Sequence, residues 1–184
     1  MTPTEQLKEE HEAIKLTLKV IEKISQKIDA GEKIDPKHLD MILEFIKVFA
    51  DKCHHGKEED VLFPAMIAAG IPREGGPVGV MLHEHEVGRG FVRRMSDGIK
   101  RYKKGDRSAL GTFASNARGY TELLARHIYK EDNILYPMAD SHVPEMRQSE
   151  MMEEFEKIEQ ERIGAGKHEE FHKNLDLLKS VYLK

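Results

Sequence analysis

Tryptophan is absent from this 184-residue chain, cysteine occurs once, and aromatic residues make up only 7% of it. The single thiol, Cys53, closes no internal disulfide, so the fold must rest on a packed core, and a reducing, cytoplasmic setting is expected. No apolar run approaches the roughly 20 residues of a membrane span, and the N-terminus lacks a signal-peptide pattern. A formal net charge of −4 offers no basic footprint, which argues against nucleic acid as a partner. Alternating strand-like patterns are also scarce. With 39% hydrophobic and 34% charged residues the chain reads as globular, and its length suits one domain with a small appendage. What the sequence has in excess is histidine, ten in all, and their placement is informative.

One pattern occurs twice. His54-His55-Gly56-Lys57-Glu58-Glu59-Asp60-Val61-Leu62-Phe63-Pro64 is matched by His127-Ile128-Tyr129-Lys130-Glu131-Asp132-Asn133-Ile134-Leu135-Tyr136-Pro137. Each copy is His-x-x-x-Glu, an acidic residue, then an aliphatic-Leu-aromatic-Pro run. Upstream stand Glu10-His11-Glu12 and Glu84-His85-Glu86, with His11 43 residues before His54 and His85 42 before His127. The chain therefore reads as two related helical hairpins, each carrying two histidines and one glutamate at matched positions.

Punctuation supports this. Thr2-Pro3-Thr4-Glu5 is a capping box with proline at the first helical position, and Gly31 suits a helix end. Asp35-Pro36 opens a second helix that Gly70 ends. Gly76-Pro77 opens a third, to about Gly105, and Asp106 caps a fourth, to about Asp140. Pro64 and Pro137 are expected to kink the helices containing them. Short connections predict an all-α, up-down-up-down four-helix bundle over residues 1–142. A C-terminal extension, 143–184, holds one acidic helix from Pro144, a Gly164-Ala165-Gly166 hinge and a last amphipathic segment, Lys167 to Tyr182.

Helical periodicity assigns the inner faces. The first helix presents Leu7, His11, Ile14, Leu18, Ile21 and Ile28. The second presents Leu39, Leu43, Ile46, Ala50, His54, Glu58, Val61 and Ala65. The third gives Val78, Met81, His85, Gly88, Val92, Met95, Ile99 and Tyr102, and the fourth Phe113, Ala117, Tyr120, Leu124, His127, Glu131, Ile134 and Met138. His11 and His85 lie near helix starts, His54 and His127 near helix ends, so antiparallel hairpins bring all six polar groups to one level. Two buried carboxylates side by side do not both stay ionised without compensating charge. A pair of cations supplies it. Imidazole with carboxylate suits iron, manganese or zinc rather than calcium or magnesium.

On these residues the chain resembles the hemerythrin-like, or HHE, family of cation-binding four-helix bundles, over about residues 1 to 140. The resemblance implies a non-haem di-iron centre with ligands His11, His54, Glu58, His85, His127 and Glu131, the glutamates bridging and an oxo or hydroxo group completing the bridge. Ferritin-type bundles use Glu-x-x-His instead, an order absent here. Oxygen-carrying hemerythrins place two histidines one turn apart in the third helix, whereas Met81 stands one turn before His85. That departure leaves two histidines per iron and predicts open coordination positions.

The remaining polar residues are expected to play lesser parts. His55 is assigned a surface or supporting role, and His83 points away. Glu59, Glu84 and Glu86 are candidates for orienting imidazoles. Tyr120 and Cys53 are read as core, and His168 with His172 as a solvated pair. Binding or sensing of a diatomic such as oxygen or nitric oxide is the expected function, by a monomer or homodimer, ahead of an oxidoreductase or an iron storage or delivery role. No nucleotide motif or reductase domain accompanies the site.

Overall fold

A computed structural model describes residues 1–164 and 166–184; Ala165, the middle of the predicted hinge, lies outside the described residues. Among the described residues there is no strand and there are six helices, which we number in chain order. α1 is Pro3–Asp29, α2 spans 36–68, α3 is Pro77–Lys103, α4 spans 109–142, α5 is Glu145–Arg162 and α6 is Lys167–Tyr182. The predicted capping box is formed: Thr2 Oγ1 accepts from the Glu5 N–H at 3.2 Å and Glu5 accepts from the Thr2 N–H at 2.7 Å. Asp35 caps α2 through the Lys37 N–H at 2.9 Å. α4 starts three residues later than its predicted cap, because Asp106 Oδ1 instead ties the Ser108 N–H into a preceding turn.

α2 and α4 are not regular α-helices. Phe45–His55, Glu58–Leu62 and Glu131–Leu135 are wider π turns, in which Gly56 N–H bonds Asp51 O, Phe63 N–H bonds Glu58 O and Tyr136 N–H bonds Glu131 O. Where kinks were expected at Pro64 and Pro137, the helices carry a π turn immediately before each proline. Each π turn holds an extra residue and rotates the downstream side chains around the helix axis. The inner-face reading fails there for that reason. Ile134, assigned inward, is 51% exposed, and its neighbours Leu135 and Tyr136 are buried. In the regular start of α2, upstream of the π turns, Leu43 is only partly buried, while Ile42 and Phe45 take the core positions. The faces predicted for the regular helices α1 and α3 are otherwise inward, apart from Ile28 and Tyr102, which pack at the core's edge.

Two apolar clusters flank the level of the histidines. The larger joins Leu18, Ile21, Ile46, Phe49, Met95 and Phe113 with Phe171, Leu175 and Leu178 of α6. Gly98 permits the closest approach of α3 to α4, since a Cβ there would sit 3.2 Å from Ala109 O and Phe113 N. The smaller joins Leu7, Leu62, Phe63 and Tyr136 with Met151, Phe155 and Ile158 of α5. Both C-terminal helices are thus covers on the core. Phe155, fully buried, is the centre of the α5 contact. Phe155→Ala is expected to lower the stability of the whole chain by about 3–5 kcal/mol, read as an earlier single transition in urea; an unchanged main transition would show that α5 melts independently.

Candidate metal centre

Five histidines and two glutamates meet between the clusters. His11, His54, Glu58, His85, His127 and Glu131 are all buried, as their inward stripes require. His55 is buried with them, only 6% exposed, contrary to the surface role expected of it. The reason is again the π geometry of Phe45–His55, which turns consecutive residues His54 and His55 both inward. His55 stacks on His85 with ring centroids 3.9 Å apart. The donor atoms fall into two groups, each within 4.8 Å: His55, Glu58, His85 and His127, and His11, His54 and Glu131. The two groups thus hold three histidines and two, where two each were expected, the extra imidazole standing on α2 and not at the position held by Met81.

The two carboxylates sit across both groups. Glu131 Oε1 lies 2.9 Å from His127 Nε2, and its Oε2 lies 3.2 Å from His11 Nε2. Glu58 Oε2 lies 3.3 Å from His85 Nε2 and 4.0 Å from His54 Nε2. Yet neither oxygen of Glu131, nor Glu58 Oε2, is aligned with any hydrogen-bond donor. Buried anionic oxygens without a directed donor are costly. Short distances without hydrogen-bond alignment are what results when imidazole and carboxylate lone pairs converge on shared points between them. The donor set fits a pair of imidazole- and carboxylate-loving cations. Glu58 Oε1 accepts from Tyr136 Oη at 2.7 Å, so the fully buried tyrosine supports one bridge candidate.

Outside this ring the repeat reappears. Each inward Nε2 is set by a carboxylate on Nδ1: Glu10 on His54 at 2.8 Å, Glu84 on His127 at 2.9 Å, Glu59 on His85 at 2.6 Å and Asp132 on His11 at 2.7 Å. Each carboxylate is in turn held by a cation: Lys57 on Glu10, Lys130 on Glu84, Arg89 on Glu59 at 2.8 Å and Lys15 on Asp132 at 3.0 Å. Glu10 and Glu84 act within their own repeat; Glu59 and Asp132 cross to the other. Such partners fix ring orientation and raise ligand basicity. Asp51 does the same for His55 at 3.3 Å, braced by Arg89. Glu59 and Glu84 were foreseen. Glu86 was not right: it is exposed and pairs with Arg89 at 2.6 Å. Sequence reasoning missed Glu10, Asp132 and both lysines, although each stands at a matched position of the repeat.

Other expectations hold as placements. His83 is exposed, and Cys53 is buried, burial pushing its thiol up to about 12. His168 packs edge-on against Phe49, so it is less solvated than expected.

Without an ion, the buried carboxylates charge the rings. Burial pulls the His11 pKa down, but Asp132, Glu131 and Glu58 override it and raise it to about 9. His127 likewise overcomes burial through Glu131 and Glu84 to reach about 9, and His85 through Glu131, Glu58 and Glu59 to reach about 11. His55 goes the other way, lowered by burial and by His85, and stays neutral. Since folded-state values are raised, this stabilisation is full below the ordinary 6.5 and lost as pH climbs through 9. Ligation needs neutral rings and releases those protons. We expect the metal-free protein's melting temperature to fall from pH 6.5 to 9 while affinity for zinc, followed by competition with a chelator, rises over the same range. Parallel trends in both would refute this electrostatic account.

Comparison with known proteins agrees with the donor set. A model of the hemerythrin HHE cation binding domain matches residues 2–139. A Mycobacterium tuberculosis protein named Uncharacterized protein Rv1995 is 25% identical over 182 residues, 98% of this chain and 71% of the relative, and a Mycobacterium bovis protein matches equally. The iron-sulfur cluster repair protein YtfE of Musicola paradisiaca is 30% identical over 130 residues, 64% of this chain and 58% of the relative. No solved structure matches.

Proposed function

Because the chain belongs to the hemerythrin HHE cation-binding domain family, we propose that it is a di-iron protein of up-down-up-down bundle topology that binds or senses a small diatomic, oxygen or nitric oxide. In this reading His55, His85, His127 and Glu58 would hold one iron and His11, His54 and Glu131 the other, with the two glutamates placed where they could serve both. The observation that carries it is the set of fully buried, unaligned carboxylate oxygens of Glu58 and Glu131 amid five imidazoles. Zinc and manganese fit the same donors; iron is preferred because it supplies redox chemistry toward diatomics.

The two halves differ in a way that suits such a ligand. One group has three histidines and the other two, so the His11–His54 half has fewer protein donors. Tyr136 Oη lies 3.4 Å from His11 Nε2 on that side and donates its proton to Glu58 Oε1, steadying the carboxylate beside that half. The matched position in the first repeat is Phe63, which offers no such group. Among the described residues no helix is long and apolar enough to cross a membrane, and the buried free Cys53 suits a reducing cytoplasm.

A second reading, delivery of iron, is favoured by the similarity to a protein named for iron-sulfur cluster repair. Metal analysis after expression in iron-replete medium is expected to give two irons per chain, falling on Glu58→Ala, Glu131→Ala or His55→Ala and holding on Glu86→Ala. One metal or none in every preparation refutes the binuclear centre. Stopped-flow mixing of the reduced protein with oxygen is expected to show a reversible spectrum, and Tyr136→Phe to hasten its decay by about tenfold, the loss of one buried hydrogen bond. Ready loss of iron to a weak chelator would instead support delivery.

A further inference from the structure

A cavity of about 200 Å³ opens beside the three-histidine group, between α2, α3 and α4. His55, His85 and His127 form its floor, and Ile46, Gly88, Val92, Tyr120 and Leu124 supply apolar walls. It lies away from Tyr136, on the other side of the centre from the two-histidine group. Its size decides what it is for. A cavity of about 150 Å³ holds benzene, so this one exceeds the needs of a diatomic several-fold and matches a molecule of roughly ten heavy atoms. Gly88 stands at the cavity wall. A Cβ there would meet Tyr120, Leu123 and Leu124 at an ordinary 3.7 Å, so glycine is not demanded by helix packing.

Charge at the cavity is unbalanced. Asp51 is matched by Arg89 at 2.8 Å and Glu84 by Lys130. Lys47 and Arg93, also lining, are exposed, and neither has a carboxylate within 4.0 Å among the described residues. Lys47 Nζ reaches only Ser96 Oγ, at 3.2 Å. Two unmatched cations above an apolar chamber select a ligand with one anionic end and a compact apolar body. Inorganic phosphate fits poorly, since the walls below the cations offer it few donors.

We propose that this cavity binds a small organic carboxylate, its carboxylate held by Lys47 and Arg93 and its apolar body lying against Ile46, Val92, Tyr120 and Leu124 above the histidines. The proposal rests on the metal-centre reading only for what lies beneath the floor. It is tested by calorimetric titration of the metal-loaded protein with benzoate, benzamide and acetate, metal content being measured on the same sample. Benzoate is expected to bind at one site, with benzamide and acetate at least about tenfold weaker. The Lys47→Glu/Arg93→Glu variant should weaken benzoate at least about tenfold, and Gly88→Leu should abolish binding, both with metal content unchanged. If Gly88→Leu disturbs the fold, the exposed charge pair still decides. Benzoate binding indifferent to charge reversal would put the carboxylate on the metal and overturn the proposal, as would equal affinity for benzamide or no binding to fully loaded protein. Benzoate binding by a metal-poor sample supports the cavity site while counting against the metal reading.

Discussion

Two carboxylates with no exposure to water, Glu58 and Glu131, stand within reach of one another's imidazoles at the middle of an apolar bundle. Everything around them is arranged to make that tolerable. Isolated ionised groups at such depth would neutralise themselves or unfold the chain. Glu131 is instead held well below its ordinary range: burial pushes it up, but His127, His11 and His85 more than offset this. The same electrostatics that keep the metal-free centre folded, by charging His11, His85 and His127, oppose filling it, because those rings would first have to lose their protons. Stability of the metal-free state and affinity for metal are thus two faces of one interaction.

The outward layering is a consequence of that constraint. An imidazole that faces inward through Nε2 needs its Nδ1 satisfied, and a carboxylate that satisfies it at a half-buried position needs a cation. His–carboxylate–cation chains occur five times, two within a repeat, two across, and one from Arg89 through Asp51 to His55. The crossing pairs, Glu59 to His85 and Asp132 to His11, tie the hairpins together at the level of the centre. A bundle held only by apolar stripes could slide in register by a turn; one held by these chains cannot do so without leaving buried charge unpaired.

Much of this was legible, and the failures share one cause. The duplicated His-x-x-x-Glu and Glu-His pieces marked six of the seven groups buried together, and for His11 and His85 the regular helical spacing of α1 and α3 carries a residue's face directly from its number. Glu10 and Asp132 were legible in principle, as counterparts of Glu84 and Glu59. His55 and Ile134 were misassigned because α2 and α4 depart from 3.6 residues per turn within the motif itself. No local sequence feature beyond the downstream prolines announces that departure. π turns are rare and often mark functional sites, and here one carries His54 and His55, both buried. The deviation from regular structure and the fifth imidazole are the same event.

The repeats are unequal where they meet the C-terminal helices. Lys57 and Lys130 occupy matched positions and hold matched carboxylates, but Lys130 keeps about a third of its side chain in water while Lys57 keeps none. α5 covers Lys57, placing Phe155 against it and supplying Glu159 as a second anion. Glu159 also accepts from Gln6 of α1 at 2.7 Å, and Arg162 reaches over Gly56 to Lys52 O at 3.1 Å. A buried ammonium with one carboxylate would be poorly compensated; with two it is anchored, and its hold on Glu10 and hence on His54 is firm. α5 therefore belongs to the metal centre's support on the two-histidine side, although it contributes no donor to it. The corresponding support on the other side, through Lys130 and Glu84, stands at the rim of the cavity and remains open to solvent. One half of the centre is covered by α5, and the other borders the cavity.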